Sequence, residues 1–149
     1  MTKTIEMIVG LKIPDTTAIT ALQTLHRIGF AKIKDIRRFN YYRFSIEGDV
    51  KKFQEKISKV DILVNANKHS CDFSVPKDDN IKVLVKDMEN GNSLLSALKN
   101  RLGIKEIKSA EKGILWSLSI EDKDAKKTAK EAAEQLLVNK HYQEYSILD

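Results

Sequence analysis

The run from Ile114 to Glu121 alternates in character, with Trp116, Leu118 and Ile120 on one side and Ser117, Ser119 and Glu121 on the other. That period of two predicts a half-buried strand. The residues 74 positions earlier repeat it, with Tyr42, Phe44 and Ile46 set against Arg43, Ser45 and Glu47. Two such strands in matching surroundings predict a duplicated unit.

The rest of the chain falls into place around these strands. In the first half, Ile5 to Leu11 reads as a strand of β-branched and large apolar residues. Asp15 or Thr16 then N-caps a helix striped by Ala18, Ile19, Leu22, Leu25 and Ile28 and ended by Gly29. Ala31 to Phe39 is a second strand, in which the spacing of Ile33 and Ile36 predicts a bulge. A tight connection near Asn40 suits a hairpin into the Tyr42 strand. A helix from about Asp49 turns Val50, Phe53, Ile57, Val60 and Val64 inward, and a short strand from Cys71 to Val75 closes the half.

After the polar stretch Pro76 to Asn80 the order repeats. Ile81 to Val85 is a strand, and Asn90-Gly91-Asn92-Ser93 is a turn and cap. Leu94, Leu95, Leu98 and Leu102 stripe a helix that stops at Gly103, and Ile104 to Lys112 precedes the Trp116 strand. Asp122 or Asp124 caps a helix facing inward through Ala125, Ala129, Ala132, Ala133, Leu136 and Leu137, and Tyr142 to Leu148 is the last strand. The register supports duplication as well as the order. Ile5 matches Ile81 at an offset of 76, and Leu63-Val64-Asn65 matches Leu137-Val138-Asn139 at 74. Phe73-Ser74-Val75 matches Tyr145-Ser146-Ile147 at 72, and His69 and His141 fall in corresponding places.

The expected architecture is α+β: two ferredoxin-like βαββαβ repeats, residues 1–75 and 81–149, joined by a linker over 76–80. Each repeat alone leaves one sheet face bare, so the two are expected to cover each other as an internal pseudo-dimer.

Composition narrows the class. With 149 residues, 42% hydrophobic and 32% charged, the chain has the make-up of a soluble globular protein. No apolar run approaches the ~20 residues of a membrane helix, and Met1 to Glu6 lacks the apolar segment of a signal peptide. Cys71 is the one cysteine, which excludes an internal disulfide and fits a cytoplasmic home. The net charge of +5 lies wholly before Pro76, where 13 Lys and Arg face 8 Asp and Glu.

Catalytic signals are few. His26, His69 and His141 have no metal-binding spacing, Cys71 has no C-x-x-C partner, and Gly91 and Gly103 lack the companions of a phosphate loop. No catalytic, cofactor-binding or metal residue is assigned. The pointed feature is a basic run, Lys32, Lys34, Arg37, Arg38 and Arg43, set among Phe39, Tyr41 and Tyr42. Ferredoxin-like RNA binders stack bases on strand aromatics, but the second half places Glu111, Gly113, Leu115 and Ser117 where the first has Arg37, Phe39, Tyr41 and Arg43. Lys34, Arg37, Arg38 and Arg43, read as surface positions, are therefore candidate residues for docking an acidic protein partner. Two other classes remain: a tandem ACT-like regulatory module binding an amino acid, and a ferredoxin-like RNA-binding protein.

Ile8-Val9-Gly10-Leu11-Lys12, the stretch from Ala21 to Phe30, and Lys34-Asp35-Ile36-Arg37 are similar to the PurS family, the small subunit of phosphoribosylformylglycinamidine (FGAM) synthase in purine biosynthesis. Leu63-Val64-Asn65, and Leu136 to Asn139 followed by Tyr145-Ser146-Ile147, resemble that family's closing pattern. The likeness runs once per half and is better in the first. It departs before the first helix, where Pro14-Asp15-Thr16-Thr17 and Glu89-Asn90-Gly91-Asn92 replace the family's longer segment. The resemblance implies a fused dimer, non-catalytic by itself, that bridges a synthetase (PurL-type) and a glutaminase (PurQ-type) subunit for ammonia delivery. It implies no cofactor in this chain, since ATP and Mg²⁺ would belong to the synthetase partner.

Overall fold

The computed structural model of the protein describes residues 2–60, 63–65, 67–87 and 92–148. Six strands and four helices follow one another among the described residues. They are β1 (Lys3–Leu11), α1 (Thr16–Arg27), β2 (Ile33–Ile46), α2 (Val50–Ile57), β3 (His69–Asp72), β4 (Ile81–Asp87), α3 (Asn92–Ser96, run on as a π-turn to Arg101), β5 (Ile107–Ile120), α4 (Ala125–Ala132, run on as a π-turn to Leu137) and β6 (Gln143–Leu148). The strands form one sheet in the order β3-β1-β2-β5-β4-β6. The architecture is α+β, and no described helix is long and apolar enough to cross a membrane.

The caps act as their chemistry requires. The Asp15 carboxylate accepts the Thr17 and Ala18 N–H groups at the start of α1, and Asp49 accepts Lys52 N–H at the start of α2. Gly29 and Gly103 take positive φ just past α1 and the α3 π-turn, where a side chain would be strained. At the last helix, Asp122 takes part instead of Asp124, accepting Asp124 N–H and the Thr128 hydroxyl. The Asn90-Gly91 turn expected ahead of α3 lies outside the described residues.

Three expectations are corrected. No hairpin forms at Asn40: β2 runs unbroken for 14 residues, and β5 does the same. A two-residue hairpin turn needs positive φ, and among the described residues only Gly29, Gly48 and Gly103 adopt it. Each half therefore contributes three strands, not the four of a βαββαβ repeat. The helix stripes are also narrower than periodicity implies, because Ile19, Ile28 and Leu102 are about half exposed while Ala21 is buried. Finally, the offset at the end of each half stays at 74. Val9 pairs with Cys71 and Val85 with Tyr145, so Cys71, not Phe73, corresponds to Tyr145.

The turn before each closing strand shows the same register bond by bond. The Asn65 side chain accepts Asn67 N–H at 3.0 Å and Asn139 accepts His141 N–H at 3.1 Å. The Asn65 and Asn139 carbonyls each accept the N–H four residues on, from His69 and Gln143, at 2.7 Å. The His69 ring Nδ1 accepts Asn65 N–H, and Gln143 Oε1 accepts Asn139 N–H, both at 3.0 Å. His69 thus matches Gln143 rather than His141.

The compact units cut across the chain order. The first comprises Met1–Lys12, Asn40–Val75 and Glu89–Lys112; the second comprises Ile13–Phe39, Pro76–Met88 and Gly113–Asp149. Each gathers four strand segments and two helices, which is compatible with a ferredoxin-like layout. The first unit's core joins Ile5, Met7, Phe44, Phe53 and Ile57 to Leu98, Ile104 and Ile107. The second joins Ala18, Ala21, Leu25, Ile33 and Ile36 to Val83, Trp116, Leu118 and Leu137. Each core therefore takes its first helix from the other half of the sequence, α3 in the first unit and α1 in the second. Ile33 and Ile36 enter one core although three apart in β2, as do Ile107 and Ala110 in β5, which a flat alternation does not allow.

Candidate functional site

The four cations singled out for docking divide between the units: Lys34, Arg37 and Arg38 belong to the second and Arg43 to the first. Lys34 is exposed and donates to the Ala31 carbonyl at 3.3 Å. Arg37 is exposed, with its guanidinium 5.2 Å from the Phe39 ring centroid, a cation–π contact. Arg38 is not the surface position expected of it. Its guanidinium donates to both carboxylate oxygens of Asp15, at 2.9 and 3.3 Å, and so holds the residue that caps α1. Partners 23 residues apart left no local signal for that bond. The RNA-binding reading meets a second obstacle: Phe39 and Tyr41 are 7% and 2% exposed, so neither ring offers a face for stacking.

Burial, and the neighbouring Asp72 carboxylate, push the half-buried Cys71 thiol above its ordinary pKa, the opposite of what activates a nucleophile. Among the described residues no group of three or more His, Cys, Asp or Glu could hold a metal ion.

The polar residues that sequence reasoning passed over are Glu6 and Lys82. Both lie on the strand positions that alternate with the core residues, and the offset that pairs Ile5 with Ile81 pairs them as well. In the first unit the Tyr41 hydroxyl donates to Glu6 at 2.6 Å. Burial and this carboxylate drive the Tyr41 pKa far above that of a free phenol, so the donor keeps its proton. In the second unit Lys82 is 5% exposed and donates to the Asp78 carboxylate and, at 3.0 Å, to the Asn80 carbonyl. That bond holds the Asp78 carboxyl below its usual range. Asn80 also donates to the Ser117 hydroxyl at 3.1 Å, so residues 78–80 lie over Lys82 and Ser117 instead of hanging free as a linker.

Each unit contains a cavity. The second unit's, of about 420 Å³, lies beside α1, with Thr20 and Thr24 at its rim and Trp116 and Leu137 beneath. The first unit's, of about 490 Å³, is the more polar and contains Arg43 and Glu6 together with Thr4, Gln54, Val50 and Phe73. Strand lengths explain it. β3 stops at Asp72, opposite Ile8, and Thr4 to Met7 run on past its end. In the second unit β6 continues two residues further, pairing Ile147 with Val83 and Leu148 with Lys82, and fills the matching place.

No curated protein matches the chain. Residues 81–148 match a family model, PurS, phosphoribosylformylglycinamidine (FGAM) synthase. The match falls on the second half, although the quoted motifs are better in the first. That stretch, 68 of the 149 residues, is what makes the chain similar to the PurS family.

Proposed function

We propose that the chain is a non-catalytic PurS-like subunit of FGAM synthase in purine biosynthesis, working in the cytoplasm to bridge the synthetase and glutaminase subunits for ammonia delivery. The observation that carries this reading is the PurS match over 81–148. The first half supports extending it to the whole chain, because β1 and β3 pair in the register of β4 and β6 and the Asn65 turn repeats the bonds of the Asn139 turn. On this reading two tandem repeats stand in for two separate subunits as an internal pseudo-dimer, and ATP and Mg²⁺ stay with the synthetase. Lys34 and Arg37 of the second unit meet an acidic partner surface, while Arg38 keeps its place on Asp15.

The test is reconstitution. Alone, the chain should show no glutaminase, ATPase or ligase activity. Added to synthetase and glutaminase subunits, it should make glutamine-dependent turnover appear while ammonia-dependent turnover changes less. Reversing Lys34 and Arg37 to Glu should weaken assembly most at low salt, where charge complementarity acts over the longest range. Full glutamine-dependent turnover without the chain removes the bridging role, and assembly that survives the reversal at low salt removes the patch.

A further inference from the structure

The cavity of the first unit holds one cation and one anion on neighbouring strands. Adjacent strands lie ~4.8 Å apart, so Glu6 on β1 and Arg43 on β2 are within reach of the two ends of one small zwitterion. Glu6 is fixed by the Tyr41 hydroxyl on one carboxylate oxygen, and a carboxylate has further lone pairs to offer. Arg43 makes no ion pair among the described residues. Its planar guanidinium suits a carboxylate held by two parallel bonds. Val50 and Phe73 give the cavity an apolar side, and Thr4 and Gln54 add a hydroxyl and an amide to its polar one.

The second unit offers a comparison at the matching place. The residues matching Glu6 and Arg43 there are Lys82 and Ser117, and the chain itself occupies them, with the Asp78 carboxylate on Lys82 and the Asn80 amide on Ser117. At the same point of the first unit lie Thr2 to Thr4, of which Thr4 lines the cavity. The position is thus filled by the chain's own polar groups in one unit and left as open volume in the other.

We propose that the first unit's cavity is a binding site for a free α-amino acid, its carboxylate on the Arg43 guanidinium and its ammonium on the Glu6 carboxylate. The proposal does not rest on the bridging role. Its readout is binding to the isolated chain, so the two stand or fall separately.

The experiment is titration of the full ¹⁵N-labelled chain with glycine, alanine, glutamine and glutamate, each to ~10 mM, followed by amide shifts. Saturable shifts at Thr4–Glu6, Arg43 and Val50–Gln54 with at least one of them are expected. The N-acetylated and the amidated forms of that amino acid each lack one charge and should bind ~10-fold more weakly or worse. Arg43→Met and Glu6→Gln should weaken binding to the same degree, with circular dichroism confirming the fold; glutamine at position 6 still accepts the Tyr41 hydroxyl. The absence of saturable shifts with every amino acid overturns the proposal. So do N-acetylated and amidated forms that bind as tightly as the amino acid itself, or inorganic phosphate binding more tightly than any amino acid. Unchanged binding by both variants does so as well.

Discussion

Glu6 of β1 and Lys82 of β4 stand at one point of a shared register, two residues ahead of Ile8 and Leu84, yet one is an acid and the other a base. Around Lys82 the chain closes: β6 pairs with β4 from Asp87 to Lys82, and residues 78–80 bring a carboxylate and a carbonyl to the ammonium. Around Glu6 it stays open, because β3 is two residues shorter than β6 and leaves a cavity of about 490 Å³ where the longer strand would lie. The apolar positions on the other side of the same strands hardly differ, with Ile5, Met7 and Val9 matched by Ile81, Val83 and Val85. Packing holds a core position to its size and shape, whereas a polar position near the sheet edge needs only one partner for its charge. Residues 78–80 supply that partner to Lys82, whereas Glu6 takes the Tyr41 hydroxyl and borders open volume.

The sharpest way to break the comparison is to separate the halves. Each core needs a helix from the other half of the sequence, α1 beside Trp116 and α3 beside Phe53. Cutting between Pro76 and Lys77 should therefore abolish cooperative unfolding in either fragment, the whole of a stability typically ~5–15 kcal/mol. Mixing the fragments should restore it, as read by circular dichroism. A cooperative monomeric transition in one fragment alone would show that its repeat keeps its own helix. Next in size is Trp116→Ala, which should cost about 3–5 kcal/mol, since the indole is 6% exposed in the second core. The matching Tyr42 is only partly buried and stacks on Phe44 at a centroid distance of 6.1 Å, so Tyr42→Ala should cost clearly less. Urea denaturation measures both, and equal losses would mean the two cores use this position alike.

Charge swaps probe the edge itself. Lys82→Glu gives the second unit the first unit's residue, but places a carboxylate at a 5% exposed position facing Asp78. A buried charge left without its partner costs about 3 kcal/mol or more. Glu6→Gln keeps an acceptor for Tyr41 at a half-buried position and should change stability by ~0.5 kcal/mol or less. If the two variants are equally stable to urea, the covering of Lys82 by residues 78–80 is not holding a charge in place.

How far the sequence reached follows the range of each interaction. The alternation through Tyr42, Phe44 and Ile46, the cap at Asp15, the helix start near Asp49 and the glycines after α1 and α3 are local, and each is found where the pattern put it. The hairpin at Asn40 was misread because an asparagine permits a turn without requiring one; what decides is the pairing of β2 along its whole length, which no short window contains. Periodicity shows that α1 has an apolar stripe, but not that the stripe packs on Trp116 and Leu137 from the other half. Of the candidate site, Lys34, Arg37 and Arg43 were legible as cations. The Arg38 bond to Asp15 and the cavity at Arg43 were not, because one joins residues 23 apart and the other arises from a difference in strand length.

The smallest effect concerns two tyrosines that donate to carboxylates, Tyr41 to Glu6 in the first unit and Tyr145 to Glu134 in the second. Burial first, and the acceptor carboxylate second, raise both phenols above the ordinary value of 10.0, Tyr145 to about 12 and Tyr41 further. A phenol that holds its proton more tightly in the folded chain than in the unfolded one contributes fully below pH 10. Above that, the unfolded chain ionises first and the contribution is lost as pH rises toward the folded pKa. The denaturation midpoint of the protein should therefore fall above pH 10, and that of Tyr41→Phe should fall less steeply, since phenylalanine has no proton to lose. Tyr145→Phe should flatten the profile less than Tyr41→Phe, because its phenol is shifted less and begins to ionise sooner. A Tyr41→Phe profile parallel to that of the unaltered protein between pH 9 and 11 would show that the bond to Glu6 does not hold the Tyr41 proton, and with it that Glu6 is not fixed as described.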